Sequence, residues 1–281
     1  GQTFLSAGDR PPQTTDDRLR ILKVTRHANK LKMGHLRGNR FVIRLRLSDK
    51  SADPASLLSR CKFVLEELRA RGIPNFYGEQ RFGVGGDNSL LGHLLVKGDT
   101  QAFNAEYASR NRGRPFPDRK MRNFLVNAFQ SDLFNRVLSL RMPGIGKLLA
   151  GDLAFLHRNG AVFKISSAEE AAREQPRADA FEISPSGPIY GEKTLLAEGI
   201  PGEIELKVLQ EAGVTLEDFA RREAERQPGA RRALRISFLE PPETAADAEG
   251  IVLRFALPPG AYATIVLREI LGDTSSNDFG R

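Results

Sequence analysis

Cysteine, histidine and tryptophan are scarce in this sequence of 281 residues, which has one cysteine (Cys61), four histidines and no tryptophan. A single cysteine excludes a disulfide framework and a multi-cysteine zinc site, and it suits the reducing cytoplasm. The histidines (His27, His35, His93 and His157) lack the spacing of metal ligands, so we expect no metal site. The sequence also lacks an apolar run of the roughly 18 residues that a membrane span requires, and no secretory signal is recognisable at its start. We therefore expect a cytoplasmic protein that does not bind a membrane.

The composition is that of an ordinary globular protein, with 40% hydrophobic and 27% charged residues. The length is enough for one large domain or two modest ones, each with its own core. The net charge is +7, and its distribution along the chain is uneven. Residues 18–50 contain eleven basic residues and one acidic residue, Asp49, and a second basic run covers residues 110–122. Acidic residues gather elsewhere, at Glu240, Glu243, Asp247 and Glu249.

Two basic runs, in which acidic residues are scarce, favour a nucleic-acid partner, because a localised positive field attracts a polyanion. A solvated surface is the alternative explanation for a single run of this kind. A membrane surface would instead select a basic amphipathic helix, and the first run does not have that pattern. It has the pattern of strands, predicted over 19–25, 30–36 and 40–47.

The strand over 40–47 and the helix that follows it have the clearest patterns. Phe41, Ile43, Leu45 and Leu47 alternate with Arg40, Val42, Arg44 and Arg46, which predicts one buried face and one largely basic face. Next, Asp53 as N-cap, Pro54 at the first helical position and Gly72 as a stop predict a helix. Its apolar stripe includes Cys61, which we interpret as a core residue rather than a catalytic thiol.

Residues 72–86 are rich in glycine, aromatic rings and amide groups, and they do not fit a regular core element. Rings can stack on a flat heterocycle while amides bind its edge, so this segment is a candidate base-binding site. A purely structural loop is the alternative.

The remaining elements are predicted from shorter signals. We expect helices over 123–141 and 261–271, strands over 234–239 and 251–257, and a loop over 184–202. Two candidate capping boxes, Ser166 with Glu169 and Thr215 with Asp218, predict further helix starts.

The sequence contains three long motifs, which are residues 29–41 (Asn-Lys-Leu-Lys-Met-Gly-His-Leu-Arg-Gly-Asn-Arg-Phe), residues 72–83 (Gly-Ile-Pro-Asn-Phe-Tyr-Gly-Glu-Gln-Arg-Phe-Gly) and residues 257–269 (Leu-Pro-Pro-Gly-Ala-Tyr-Ala-Thr-Ile-Val-Leu-Arg-Glu). Together they resemble the TruD family of tRNA pseudouridine synthases. Weaker matches lie at residues 151–152 and 229–234. The resemblance covers most of the chain.

The resemblance implies an α+β fold. A pseudouridine synthase catalytic domain with a mixed, mainly antiparallel sheet would comprise residues 1–97 and 237–281, and an inserted α/β domain would comprise residues 98–236. The implied activity is the isomerisation of a uridine in tRNA, at position 13 in the bacterial family, without a metal or organic cofactor. The implied partner is tRNA, and we expect a monomer.

The resemblance also implies which residues form the site. Asn75 and Tyr77 match the asparagine–aromatic pair of the uridine pocket, and Tyr262 matches an aromatic residue of the last motif. Gln80 and Arg268 complete the expected pocket, and Arg268 could pair with a carboxylate or a phosphate. The residues expected to contact RNA are Lys30, Lys32, Arg37, Arg40, Arg81, Arg112 and Arg114.

One motif of the family, the one that contains its catalytic aspartate, does not occur in the 281 residues. The catalytic aspartate of the family lies in a Gly-x-Lys-Asp-Arg motif that is followed shortly by Gln and Ser. Gln2 and Ser6 resemble those following residues, so the motif itself would precede Gly1. We therefore assign no catalytic residue within the sequence and expect the catalytic aspartate upstream of Gly1.

The printed residues offer no replacement for that aspartate. No Lys-Asp-Arg occurs in the 281 residues, and Asp9, Asp49 and Asp87 are not convincing substitutes. We therefore expect an N-terminally incomplete chain that binds RNA weakly and does not isomerise uridine. The alternatives are a non-catalytic tRNA-binding protein or chaperone and, with less support, a basic protein that binds another protein.

Overall fold

The computed structural model describes residues 36–46, 53–111, 116–247 and 249–272, and their α+β architecture agrees with the expected fold class. Within these residues the helices are α1 (Pro54–Arg71), α2 (Asp87–Lys97), α3 (Thr100–Arg110), α4 (Arg119–Arg141), α5 (Ala168–Asp179), α6 (Gly199–Glu211) and α7 (Ala263–Leu271). The strands are β1 (Asn39–Leu45), β2 (Ile73–Pro74), β3 (Leu153–Leu156), β4 (Val162–Lys164), β5 (Ile183–Ile189), β6 (Ala230–Ala233), β7 (Arg235–Ile236), β8 (Glu240–Asp247) and β9 (Gly250–Leu257).

β1 and α1 form as their sequence patterns predict. Along β1, Phe41, Ile43 and Leu45 are half-buried while the residues between them are exposed. The Asp53 carboxylate accepts the N–H groups of Ala55 and Ser56 at 3.0 Å, which begins α1. Its apolar stripe is buried, and Cys61 within it is 0% exposed. Burial also raises the pKa of the Cys61 thiol, which is consistent with a core role.

The strands form antiparallel sheets in the described part of the chain. The first has the order β1-β9-β8, the second pairs β2 with β7, and the third has the order β4-β3-β5-β6. The first sheet packs on α1, and α7 packs on α1 from the other end of the chain. Residues far apart in sequence therefore meet around one core.

Buried apolar side chains form separate clusters. One joins α1, β9 and α7 and includes Phe134 and Leu138 from α4. A second joins α2, α3, α4 and α6, and a third lies between β3, β5 and α5. α2 precedes the predicted domain boundary at residue 98, yet it packs against α4 after that boundary. The division into residues 1–97 with 237–281 and residues 98–236 stays a prediction.

Two strands that contain proline were not predicted from the sequence. The predicted loop over 184–202 is wrong at both ends, because Ile183–Ile189 is strand β5 and α6 begins at Gly199. Pro185 cannot donate a backbone hydrogen bond, but its carbonyl accepts the N–H of Leu234 at 2.9 Å, so the residue still pairs. β8 was not predicted; it contains two prolines, and its register shifts between Glu240 and Glu243.

Several other boundaries move by a few residues. The helix predicted over 123–141 is α4 and begins at Arg119, and the helix predicted over 261–271 begins at Ala263.

The capping box lies one residue later than predicted, since Ser167 Oγ accepts the Glu170 N–H at 3.2 Å. Asp218 accepts the Thr215 N–H at 2.9 Å, but the element there is a short 3-10 helix. The strand predicted over 234–239 is confirmed only at β7, and β6, which precedes it, was not predicted. β9 confirms the strand predicted over 251–257. The strands predicted over 19–25 and 30–36 lie outside the described residues, apart from Leu36.

Candidate functional site

Two loops from distant parts of the chain bring the predicted aromatic residues together. The first loop, residues 75–82, follows β2, and the second loop, residues 258–262, connects β9 to α7. The ring centroids of Tyr77 and Tyr262, the tyrosine pair, are 6.0 Å apart at an interplanar angle of 63°. A Cβ on Gly78 would lie 2.8 Å from Tyr262 Cδ1 and 3.0 Å from Gln80 Oε1. The absence of a side chain at residue 78 therefore allows the two loops to approach each other.

Helix α4 fixes the position of Tyr77. Asn135 Oδ1 accepts the Tyr77 N–H at 2.9 Å, and Asn135 Nδ2 donates to the Tyr77 carbonyl at 3.0 Å. Phe134 contacts the Tyr77 ring edge-to-face at a centroid distance of 5.8 Å. The backbone and the ring of Tyr77 are thus both held, because a paired amide and a packed ring restrict the residue together.

Asn75 is buried, with 6% exposure, and its side-chain amide is bonded to the protein itself. Asn75 Nδ2 donates to the Ala233 carbonyl at 2.9 Å, and Asn75 Oδ1 accepts from Arg232 Nη2 at 2.5 Å. Both polar atoms of the Asn75 amide are therefore engaged by β6, and its assignment to the uridine pocket stays a prediction. Its contacts connect the first loop to β6.

Two arginines flank Tyr77. The Arg232 guanidinium lies 4.2 Å from the centroid of the Tyr77 ring, and that of Arg81 lies 5.8 Å from it. Burial lowers the pKa of Arg232, and Tyr77 and Tyr262 oppose this shift while Arg81 adds to it. Among the described residues, neither Arg81 nor Arg232 forms an ion pair with a carboxylate. The cluster is accordingly cationic and aromatic, which suits a nucleotide.

Arg232 and Asn135 were missed at the level of sequence. Arg232 belongs to the segment 229–234 that resembles the family. Because Arg231 is adjacent to it, the sequence alone did not indicate which of the two arginines lies at the site. In the structure Arg231 pairs with buried Glu205 at 2.8 Å, so only Arg232 faces the tyrosine pair. Asn135 lies within a long helix, where a single amide carries no distinct signal.

The other predicted pocket residues have different surroundings. Gln80 is exposed and lies close to Gly78. Arg268 stacks on Phe76, with its guanidinium 4.6 Å from the ring centroid, and lies 3.6 Å from a carboxylate oxygen of Glu269. Phe76 belongs to the core that α1, β9 and α7 form. Arg268 therefore borders the first loop at the residue preceding Tyr77.

The expectation that acidic residues stay away from the basic runs is wrong. Arg40 on β1 contacts Glu240 on β8 at 2.5 Å, and Arg44 contacts Asp247 and Glu249. β9 separates these two strands, and the side chains meet across it because all three belong to one sheet. In the second run, Arg110 pairs with Asp87 at 2.8 Å and also contacts Glu106, while Arg119 and Arg122 pair with Glu225.

The predicted RNA contacts are only partly within the described residues. Arg37 and Arg40 are exposed, and Arg81 lies between the rings of Tyr77 and Phe124. Lys30, Lys32, Arg112 and Arg114 lie outside the described residues. In the part of the chain that the structure covers, no three His, Cys, Asp or Glu side chains gather as they would around a metal ion. No helix in that part has the length and apolar character needed to cross a bilayer.

The residues that suggested a catalytic aspartate upstream of Gly1 are Gly1, Gln2 and Ser6, and all three lie outside the described residues. The position of that aspartate and the inactivity of the chain both stay predictions.

The α+β fold and the cationic aromatic cluster are compatible with a protein that accepts a nucleotide, and comparisons with known proteins identify the family. The family model described as tRNA pseudouridine synthase D (TruD) matches residues 9–120 and 115–270. The tRNA pseudouridine synthase D of Geobacter sulfurreducens is 36% identical over 302 aligned residues, which cover 90% of this chain and 72% of the relative. The corresponding protein of Anaeromyxobacter dehalogenans is 40% identical over 257 residues, which cover 90% of this chain and 67% of the relative.

A solved structure is similar as well. The crystal structure of a tRNA pseudouridine synthase D from Methanosarcina mazei superposes with a TM-score of 0.68 at 26% identity, covering 84% of this chain and 69% of that chain. This similarity confirms the pseudouridine synthase fold. The chain belongs to the TruD family of tRNA pseudouridine synthases.

Proposed function

We propose that this chain binds tRNA and accepts an extruded uridine, at position 13, between the first and second loops. The observation that carries this proposal is the meeting of Tyr77 and Tyr262 at 6.0 Å, with two arginines beside Tyr77. Aromatic side chains stack on unpaired bases, and arginine adds charge and planar contact. We further propose that the protein acts as a cytoplasmic monomer.

The reaction of the family requires a site that can hold a detached base. The bond between uracil N1 and ribose C1′ breaks, the base turns, and a bond forms between C5 and C1′. The C5 proton is lost to solvent and N1 takes up a proton, so the product is an isomer of the substrate. The base must leave its stack before this can happen, since the sugar–base bond is inaccessible within a helix. Aromatic side chains would retain the detached ring while it turns.

The finer part of the proposal concerns turnover. The 281 residues contain no Lys-Asp-Arg, and the Asp87 carboxylate is already engaged, because it accepts a hydrogen bond from Arg110 Nε at 2.8 Å. We propose that this chain alone binds tRNA without isomerising it. A natural role as a non-catalytic tRNA-binding protein is the alternative.

Tritium release tests both parts of the proposal. tRNA that carries tritium at C5 of its uridines loses the label when a C5–C1′ bond forms, and filter binding measures affinity in the same samples. We expect salt-dependent binding and no release. Release of tritium would contradict the proposed inactivity. Binding that is absent or insensitive to salt would contradict the tRNA proposal and favour a protein partner.

A further inference from the structure

Arg232 connects the two loops that carry the tyrosine pair. From β6 it donates to the Asn75 carbonyl at 3.2 Å and to Asn75 Oδ1 at 2.5 Å, both in the first loop. It also donates to the Gly260 carbonyl in the second loop at 3.0 Å. Its guanidinium covers the Tyr77 ring at 4.2 Å. One side chain therefore touches both loops and one of the two rings.

This set of contacts requires a guanidinium. Arginine presents five N–H donors in a rigid plane, which can bond to two backbone segments and stack on a ring at the same time. A lysine ammonium is a compact charge at the end of a flexible chain and cannot reproduce the planar fork. The contacts to Asn75 and Gly260 also leave fewer donors for an RNA phosphate.

The surroundings of Arg232 hold it in place. Asn75 is buried and anchored to β6 through the Ala233 carbonyl, so its Oδ1 is a fixed acceptor. Asn75 thus acts on the tyrosine pair through Arg232. Asn135 holds the Tyr77 backbone from the opposite element, α4, and this contact does not depend on Arg232.

We propose that Arg232 is a positioning residue: it sets the separation of Tyr77 and Tyr262, and so controls entry of the extruded base without supplying affinity for the RNA backbone. This inference rests on the proposed function. It distinguishes Arg232 from Arg81, which contacts neither Asn75 nor Gly260 through a hydrogen bond among the described residues.

The test separates base extrusion from binding. A tRNA with 2-aminopurine beside the target uridine gives increased fluorescence when its neighbour leaves the stack, and filter binding gives the affinity. For Arg232→Gln and Arg232→Lys we expect at least a fivefold smaller fluorescence increase at saturation and an affinity within about threefold of wild type. Arg69→Gln, which removes an exposed arginine paired with Glu66 on α1, is the control and should change neither quantity.

A phosphate-binding role for Arg232 predicts the opposite pattern. Arg232→Gln would then lower the slope of log affinity against log salt by about 0.7 to 0.9, the value of one phosphate contact, and Arg232→Lys would restore both affinity and fluorescence. That result would overturn the positioning role.

Circular dichroism confirms folding of each variant. If the Arg232 variants do not fold, Asn75→Ala provides the same test, with a smaller fluorescence increase expected and wild-type fluorescence contradicting the inference.

The proposed function and the positioning role fail in different ways. A wild-type chain that binds tRNA without a fluorescence increase contradicts the proposed uridine site, and the positioning role with it. A wild-type increase that both Arg232 variants retain contradicts only the positioning role.

Discussion

The Tyr77 ring has contacts on several sides, from Phe134, Tyr262, Arg232 and Arg81. We expect a flat base to stack on the aromatic ring of Tyr77 and not to depend on its hydroxyl group. Stacking of one base on an aromatic side chain is worth about 1 to 3 kcal/mol. Tyr77→Ala should therefore weaken base extrusion by about 5- to 150-fold, and Tyr77→Phe by no more than about threefold, in the 2-aminopurine assay.

The matched control for this prediction is Phe63→Ala on α1, which removes an aromatic side chain that is 67% exposed and belongs to neither loop. It should leave extrusion unchanged. Equal losses in Tyr77→Phe and Tyr77→Ala would assign the effect to the hydroxyl and contradict stacking.

The sequence predicted the environment of a single residue where the residue type and the local pattern favour one environment. Cys61 on an apolar stripe was predicted to be buried, and it is. Arg232 could not be chosen over Arg231, because their difference depends on Glu205, which is distant in sequence and, within the described residues, pairs with Arg231 and not with Arg232. Long-range pairing of this kind leaves no local pattern.

The contact between α2 and α4 depends on the small size of one residue. A Cβ on Gly92 would lie 2.1 Å from the Leu125 carbonyl oxygen and 2.9 Å from Phe129 Cβ, so the helix axes would have to move apart. Overpacking of this kind costs about 1 to 3 kcal/mol. Gly92→Ala should lower the free energy of unfolding by that amount in urea titrations, despite the better helix propensity of alanine.

Ser89→Ala, one turn earlier on α2, is the control and should change the free energy of unfolding by less than about 0.5 kcal/mol. A Gly92→Ala variant as stable as Ser89→Ala would show that the two helices do not pack as closely as described.

Elements were predictable where their boundaries carry chemical signals. α1 has an N-cap, a proline at its first position and a glycine at its end, and all three function as predicted. β5 and β8 were hidden because their prolines suggest loops. Their strand conformation depends on neighbours, β3 and β6 for β5 and β9 for β8, that the local sequence does not reveal.

For the whole molecule, two half-buried histidines predict a dependence of stability on pH. Burial lowers the pKa of His93 and of His157, with nearby Lys97 and Arg136 adding to the shift at His93 and Arg235 at His157. The unfolded chain protonates these rings near pH 6.5, whereas the folded chain resists protonation. Stability is therefore fully present above pH 6.5 and is lost as the pH falls through the lowered folded values.

Urea unfolding at pH 7.5, 6.5 and 5.5 checks this dependence. The free energy of unfolding should fall with decreasing pH, and the variant His93→Gln, His157→Gln should show a shallower fall. Identical slopes for the two proteins would assign the pH dependence to other groups.

The distribution of charge over the folded molecule was predicted least well from the sequence. The basic residues of β1 are real, but Arg40 and Arg44 are paired with acidic residues on β8. A linear count cannot show this, because the pairing requires the order β1-β9-β8. The positive charge near the tyrosine pair comes instead from Arg81 and Arg232, which lie in different parts of the sequence.

Photocrosslinking tests the central claim, that an extruded uridine lies against the tyrosine pair, most directly. A tRNA with 5-iodouridine at position 13 is irradiated while bound to the chain, and the attached peptide is identified by mass spectrometry. We predict attachment at Tyr77 or Tyr262, and its loss when the iodouridine is moved to a paired position elsewhere in the tRNA. Attachment confined to other peptides, such as those of β1, would contradict the account.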